Sequence, residues 1–175
     1  MNYIDDQIVH YNRKKIFLYA LFMIILSVFL IIMELFMNED SFNYTVSISS
    51  IIPLFSILIL ITIGFYFFKL SFKKEPALTV NKVGIFDESS WTSVGFIPWS
   101  DIKKIEIVEF YKVNFIKVSL YNTKKYLNKK SFFQNIFLFL NNKFYGSPIF
   151  ITPNFLLVNI DYLFEKMYYF HEKSK

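Results

Sequence analysis

Residues 16–37 read IFLYALFMIILSVFLIIMELFM and residues 51–68 read IIPLFSILILITIGFYFF, and these two runs decide what the rest of the chain can be. The first holds a single charge, Glu34, and the second holds none. At 1.5 Å per residue they make helices of about 33 Å and 27 Å, against a hydrocarbon core of roughly 30 Å, so each can cross once the flanking residues of the second are added. A transmembrane hairpin over residues 16–70 is expected, with spans at 16–37 and 48–68 and an outer loop at 38–47. The first run is too apolar and too long for the h-region of a signal peptide, and no small-x-small site follows it, so it is read as a retained signal anchor.

Basic residues flank both outer ends of this hairpin: Arg13, Lys14 and Lys15 before it, Lys69, Lys73 and Lys74 after it. The connecting loop carries Glu39 and Asp40 but no Lys or Arg. By the positive-inside rule these six residues set the topology, with both termini cytoplasmic. Glu34 lies about a turn from the loop and is expected to reach the outer interface. Ser56, Thr62 and Gly64 are expected to face the first helix and allow close packing, and Pro53 to sit in the first turn of the second, where a missing N–H is harmless.

Residues 1–15 read as a short cytosolic N-terminus, and about 100 residues after Lys74 are the size of one small domain. The hydrophobic pattern changes there from continuous runs to short segments broken by Asn, Gly, Pro and Ser. Residues 77–80, 83–86, 91–99, 104–110 and 115–121 read as strands joined by short turns, hence as successive antiparallel hairpins. Gly95 within its strand points to a bulge or bend, as a sheet curving toward a barrel needs. Phe132, Phe133, Ile136, Phe137, Phe139 and Leu140 recur at helical spacing, giving a helix over 131–143 that Gly146 ends, with a shorter turn around Tyr126. Strands at 148–152 and 155–158 follow, then a helix capped by Asn159 with Ile160, Leu163, Phe164, Met167 and His171 on one stripe. The fold class is a membrane α-helical hairpin plus an α+β domain over 75–175, a curved antiparallel sheet or partly open barrel with a C-terminal helix.

The row EPALTVNKVGIFDESSWTSVGFIPWSDIKKIEI, Glu75 to Ile107, resembles a family of small two-helix bacterial membrane proteins with a cytosolic PH-like domain and no assigned role. The shared features are Glu75-Pro76 after the second span, Gly84-Ile85, the segment Ile97, Trp99, Asp101 and Ile102, and later Phe144, Tyr145, Gly146, Ser147, Pro148 and Ile149. The resemblance implies a PH-like fold at a bacterial inner membrane and supplies no catalytic residue. More loosely, such domains resemble PH-like bacteriocin immunity proteins, which implies self-protection against a membrane-active peptide as the alternative function.

Cysteine is absent, which excludes disulfides, thiolate metal sites and a Cys nucleophile. The glycines Gly64, Gly84, Gly95 and Gly146 are too scattered for a phosphate-binding loop. His10 and His171 are the two imidazoles and are expected to lie apart, divided by the membrane and the domain. Asp87, Glu88, Ser89 and Ser90 form a turn that could hold a cation but reads more simply as solvated, and Trp91 and Trp99 read as core. No enzyme, cofactor, metal site or nucleic-acid partner is expected. The residues that carry a functional signal are Lys112, Lys117, Lys124, Lys125, Lys129, Lys130 and Lys143, a stretch without any acid. Beside an anionic leaflet each such lysine contributes about 1 kcal/mol of attraction, so contact with anionic lipid headgroups, or with a protein partner at that surface, is the expected function.

Overall fold

The computed structural model describes residues 6–37, 48–127 and 131–175. The loop at 38–47, with Glu39 and Asp40, and the lysines Lys129 and Lys130 lie outside the described residues. The chain divides into two compact units, Asn12–Lys73 and a second that joins the N-terminal residues through Tyr11 to Lys74–Lys175.

The first unit is the expected pair of helices, α1 (Arg13–Met37) and α2 (Ile48–Ser71). They run antiparallel: the Arg13 Nε donates to the Ser71 carbonyl at 2.8 Å, and the Phe17 and Phe68 rings lie 6.2 Å apart. Gly64 meets Ala20, Met23 and Ile24, and an added Cβ would lie 3.3 Å from Ile24 Cγ1, so a larger residue there would push the helices apart. Ser56 and Thr62, expected at this contact, are exposed instead. Their hydroxyls donate to the Ile52 and Leu58 carbonyls of their own helix at 2.9 and 2.8 Å, which satisfies them without a partner helix. Pro53 lies in the second turn, not the first, because α2 starts earlier than its apolar run. Both helices are long and apolar enough to cross a membrane, and only 17% and 11% of their apolar windows are buried. A core helix of a water-soluble domain would be covered; these leave rings such as Phe22, Phe29 and Phe55 open all round.

The second unit carries two antiparallel sheets and two helices. The first sheet has the order β1 (Gln7–Val9), β2 (Leu78–Val80), β3 (Gly84–Asp87), β4 (Gly95–Pro98). A 3-10 turn over Trp99–Asp101 leads into the second sheet, β5 (Ile102–Phe110), β6 (Val113–Leu120) and β7 (Ile149–Ile151). The β5–β6 ladder slips by one residue between Ile102 and Lys104. The domain is therefore two sheets meeting at the Trp99 corner, not a closed barrel. Between β6 and β7 lies α3 (Phe132–Tyr145), and the chain ends in α4 (Ile160–Lys173), which packs on β3, β5 and β6 and so covers both sheets. Leu163, Met167, Phe170 and His171 are its buried stripe, and Ile85, Ile97 and Ile105 are buried in the sheets, in a unit whose burial of apolar area stabilises it by about 25 cal/mol per Å².

Local chemistry accounts for most of these boundaries. Asn159 Oδ1 accepts from the Asp161 and Tyr162 amides, as a cap should. Ser131 and Gln134 form a capping box at the start of α3, and Gly146 in the left-handed conformation ends it. Gly84 is required by crowding: a Cβ there would sit 2.3 Å from the Ile97 carbonyl oxygen. The expected strand at 91–99 begins only at Gly95, because Ser90 to Ser93 close a turn with the Ser93 Oγ accepting from the Ser90 amide at 2.8 Å. The expected strand at 155–158 is a 3-10 turn, Pro153–Phe155, and a single bridge from Leu156, since Pro153 sets up the turn.

A strand at residues 7–9 is not anticipated by the sequence reading: β1 pairs antiparallel with β2, Ile8 opposite Thr79, and the bridge from Leu156 goes to Tyr11. Leu157 donates to the His10 carbonyl at 2.9 Å, and the Tyr11 hydroxyl donates to the Glu88 carbonyl. Val9 and Tyr11 are buried while Ile8 is 51% exposed. Val9→Ala is thus expected to lower the unfolding free energy of the detergent-solubilised protein by roughly 2 kcal/mol, and Ile8→Ala to leave it within about 0.5 kcal/mol, in denaturant titrations followed by tryptophan fluorescence.

Candidate functional site

The lysines fall into two groups. Lys112 lies at the β5–β6 turn and Lys117 on β6; Lys124 and Lys125 lie in a 3-10 turn before α3, and Lys143 in the last turn of α3. Lys117 faces Glu106 across the β5–β6 ladder at 3.3 Å, and Lys125 reaches Asp101 at 2.5 Å. Hydrogen bonding from Lys104, then from Lys117, holds the Glu106 carboxyl below the usual range. Strand pairing at Glu106 and the 3-10 turn at Asp101 therefore bring acids from outside the acid-free stretch onto two of its lysines, while Lys112, Lys124 and Lys143 are exposed.

Asp101 acts as a brace for this region. It accepts from the Tyr126 hydroxyl as well as from Lys125, and Tyr121 donates to its carbonyl at 3.0 Å. Burial, with the carboxylate beside it, pushes the Tyr126 phenol well above its ordinary range, so the phenol remains a donor at any physiological pH. Ser147 fixes the return to β7, donating to the Val118 carbonyl while accepting from the Ile149 amide at 3.2 Å.

Around this brace the exposed surface is apolar. On α3 only Leu138 is fully buried; Phe132, Phe133 and Phe144 are 74%, 66% and 69% exposed, and Ile136, Phe137, Phe139 and Leu140 are exposed beside them. The polar side chains Gln134, Asn135, Asn141 and Asn142 are the half-buried ones. At about 100° per residue, the apolar residues fill an arc of about 160° with Lys143 inside it, and the amides occupy the other side. Gln134 Nε2 donates to the Trp91 carbonyl at 2.6 Å, and the Trp91 ring meets Phe137 edge-on at 5.6 Å. At the other end Tyr145 packs on Phe110 at 4.8 Å, which brings the tip of the β5–β6 hairpin beside the end of α3. That tip is Tyr111 and Lys112, both left-handed at φ 48° and 63° and both exposed. Helical spacing in the sequence finds α3 but assigns its phenylalanines no role; the usable signal is four amides opposite seven large apolar residues.

The remaining candidates are structural. Trp99 is buried, stacked on Phe170 at 6.4 Å, and its Nε1 donates to the Asn81 carbonyl at 2.9 Å. Trp91, expected in the core, is half-exposed against α3. Both histidines belong to the sheet unit. His10 is exposed at the end of β1, and the buried His171 donates through Nε2 to the Ile102 carbonyl at 3.0 Å. Among the described residues no three His, Asp or Glu side chains come together as a metal-binding group. Comparison with protein-family models, curated proteins and solved structures finds no match for this chain.

The turn at Asp87 is not solvated. Asp87 is fully buried, accepting from the Ser89 amide at 2.9 Å and the Ser89 Oγ at 2.6 Å, which caps the turn and leaves no open face for a cation. Burial raises its pKa despite these bonds and one from Ser93. A carboxyl with a raised folded pKa lends its full stability below the unfolded value, about 4, and loses it as pH rises through the folded value. Asp87→Asn keeps the acceptor for Ser89 and lets the Ser93 hydroxyl accept instead of donate. This variant is expected to gain stability relative to the parent as pH rises from about 4 to 7, whereas Asp87→Ala, which orphans the Ser89 donors, loses about 1–3 kcal/mol in thermal or denaturant unfolding.

Proposed function

We propose that this chain is a non-enzymatic, membrane-anchored binding module. Two helices hold a PH-like sheet domain at the cytoplasmic face of a bacterial inner membrane, where exposed lysines contact anionic lipid headgroups. The observation that carries the reading is that both ends of the helical hairpin run into one sheet. Residues 10–12 link β1 to α1, and residues 72–77 link α2 to β2. An even number of crossings is the only arrangement that lets β1 and β2 pair, and the six basic residues at those ends favour the cytoplasmic side for both. At about 3.4 Å per residue the longer link spans at most about 20 Å, so the domain works within reach of the headgroups. Lys112, Lys124 and Lys143, exposed lysines of the acid-free stretch, are side chains that an anionic leaflet would attract.

The proposal is tested by acylation footprinting of the full chain in nanodiscs. At low salt Lys112, Lys124 and Lys143 should react more slowly in anionic than in neutral discs, and the difference should vanish at high salt, while Lys117, paired with Glu106, changes little. Equal rates in both lipids at low salt would remove the lipid contact.

A further inference from the structure

An amphipathic helix on a water-soluble domain buries its apolar stripe and shows its polar face; α3 does the reverse. Its amides half-bury against the domain, and Phe132, Phe133, Ile136, Phe139, Leu140 and Phe144 stand in the open. Contiguous exposed apolar surface of this kind marks a contact that the isolated chain does not make. We propose that α3 is an interfacial membrane helix, lying in the plane of the bilayer with this face sunk among the upper acyl chains of the leaflet that the sheet domain faces. The inference rests on the reading of α1 and α2 as membrane-spanning and adds a third membrane element to it.

Three observations select lipid over a protein as the occupant. Length comes first: the 14 residues of α3 make about 21 Å, too short to cross a core of roughly 30 Å but suited to lying along its surface. Charge is the second. Lys143 lies within the apolar arc, Lys124 before the helix, and Lys112 at the hairpin tip that touches its far end, while Asp101 takes Lys125 and the sequence from 110 to 160 holds no acid of its own. An anionic leaflet complements that distribution, whereas a second copy of the chain would set like charges face to face. Lys143 can extend its stem along the apolar surface and keep its ammonium at the phosphates. The third is the rim. Trp91 at one end, Tyr145 and Tyr111 at the other, are exposed aromatics with a polar atom, the type that concentrates at the headgroup level.

The absence of native cysteine makes the test clean. Single nitroxides are placed on the full chain in anionic vesicles through Phe133→Cys, Ile136→Cys and, as a reference in α2, Leu58→Cys; all three positions are exposed, so the labels leave packing undisturbed. Collisional relaxation by oxygen and by a water-soluble nickel chelate then reports depth. Strong oxygen and weak nickel relaxation at all three sites is the expected result, with the α3 labels shallower than the reference. Nickel-accessible labels at 133 and 136 beside a lipid-embedded 58 would overturn the role of α3 and leave the hairpin standing. Labels at 133 and 136 shielded from both reagents and broadened by a neighbouring spin would assign the face to a second copy and overturn the lipid. A nickel-accessible label at 58 would defeat the hairpin reading itself, and this inference with it.

Discussion

The antiparallel pairing of β1 with β2 is the constraint on which the rest of the structure depends. It joins residues 7–9 to residues 78–80 across the two long helices, so the hairpin is an insertion between neighbouring strands of one sheet. Val9 contributes a buried side chain, Tyr11 closes over Glu88, and the Leu156 segment is held by the chain just before α1. The links at residues 10–12 and 72–77 therefore tether both ends of the hairpin to neighbouring strands of the same sheet.

The same construction changes how the charges should be counted. Along the sequence, seven lysines between 110 and 160 meet no acid. In the folded domain Glu106 lies opposite Lys117 and Asp101 takes Lys125, because hairpin registry and the corner at Trp99 bring earlier residues beside later ones. Exposed ion pairs of this sort contribute little stability, about 0–1 kcal/mol, but they remove two cations from the surface that a membrane would see. Among the described residues this leaves Lys112, Lys124 and Lys143, near an apolar helix with exposed aromatics at its ends.

Much of this was legible beforehand where a single local rule governs. Two apolar runs of adequate length, with Glu34 their single charge, give α1 and α2, Asn159 gives the start of α4, Gly146 the end of α3, and the alternation at Ile116, Val118 and Leu120 gives β6. At Gln7–Val9 and Asp87 the reading falls short because what decides the outcome is distant in sequence. Gln7–Val9 is too short to declare itself as a strand and becomes one through β2. Asp87 looks like any turn aspartate until the first sheet closes over it. Ser56 and Thr62 look like packing residues until their own helix accepts their hydroxyls. The face of α3 could have been anticipated from its composition, since Gln134, Asn135, Asn141 and Asn142 fall together and leave a wide apolar arc, yet helical spacing alone does not say which side turns outward.

The claim that both ends of the helical hairpin enter neighbouring strands of one sheet is tested most directly by locking β1 to β2 in the full chain. Ile8→Cys and Thr79→Cys place the pair at directly opposed positions of the ladder, and a protease site inserted in the loop at 38–47 allows the chain to be cut between them. In spheroplasts treated with a short bifunctional thiol reagent and then with external protease, the account predicts cleavage whose two fragments migrate together on a denaturing gel. Fragments that separate despite complete modification of both cysteines would contradict it.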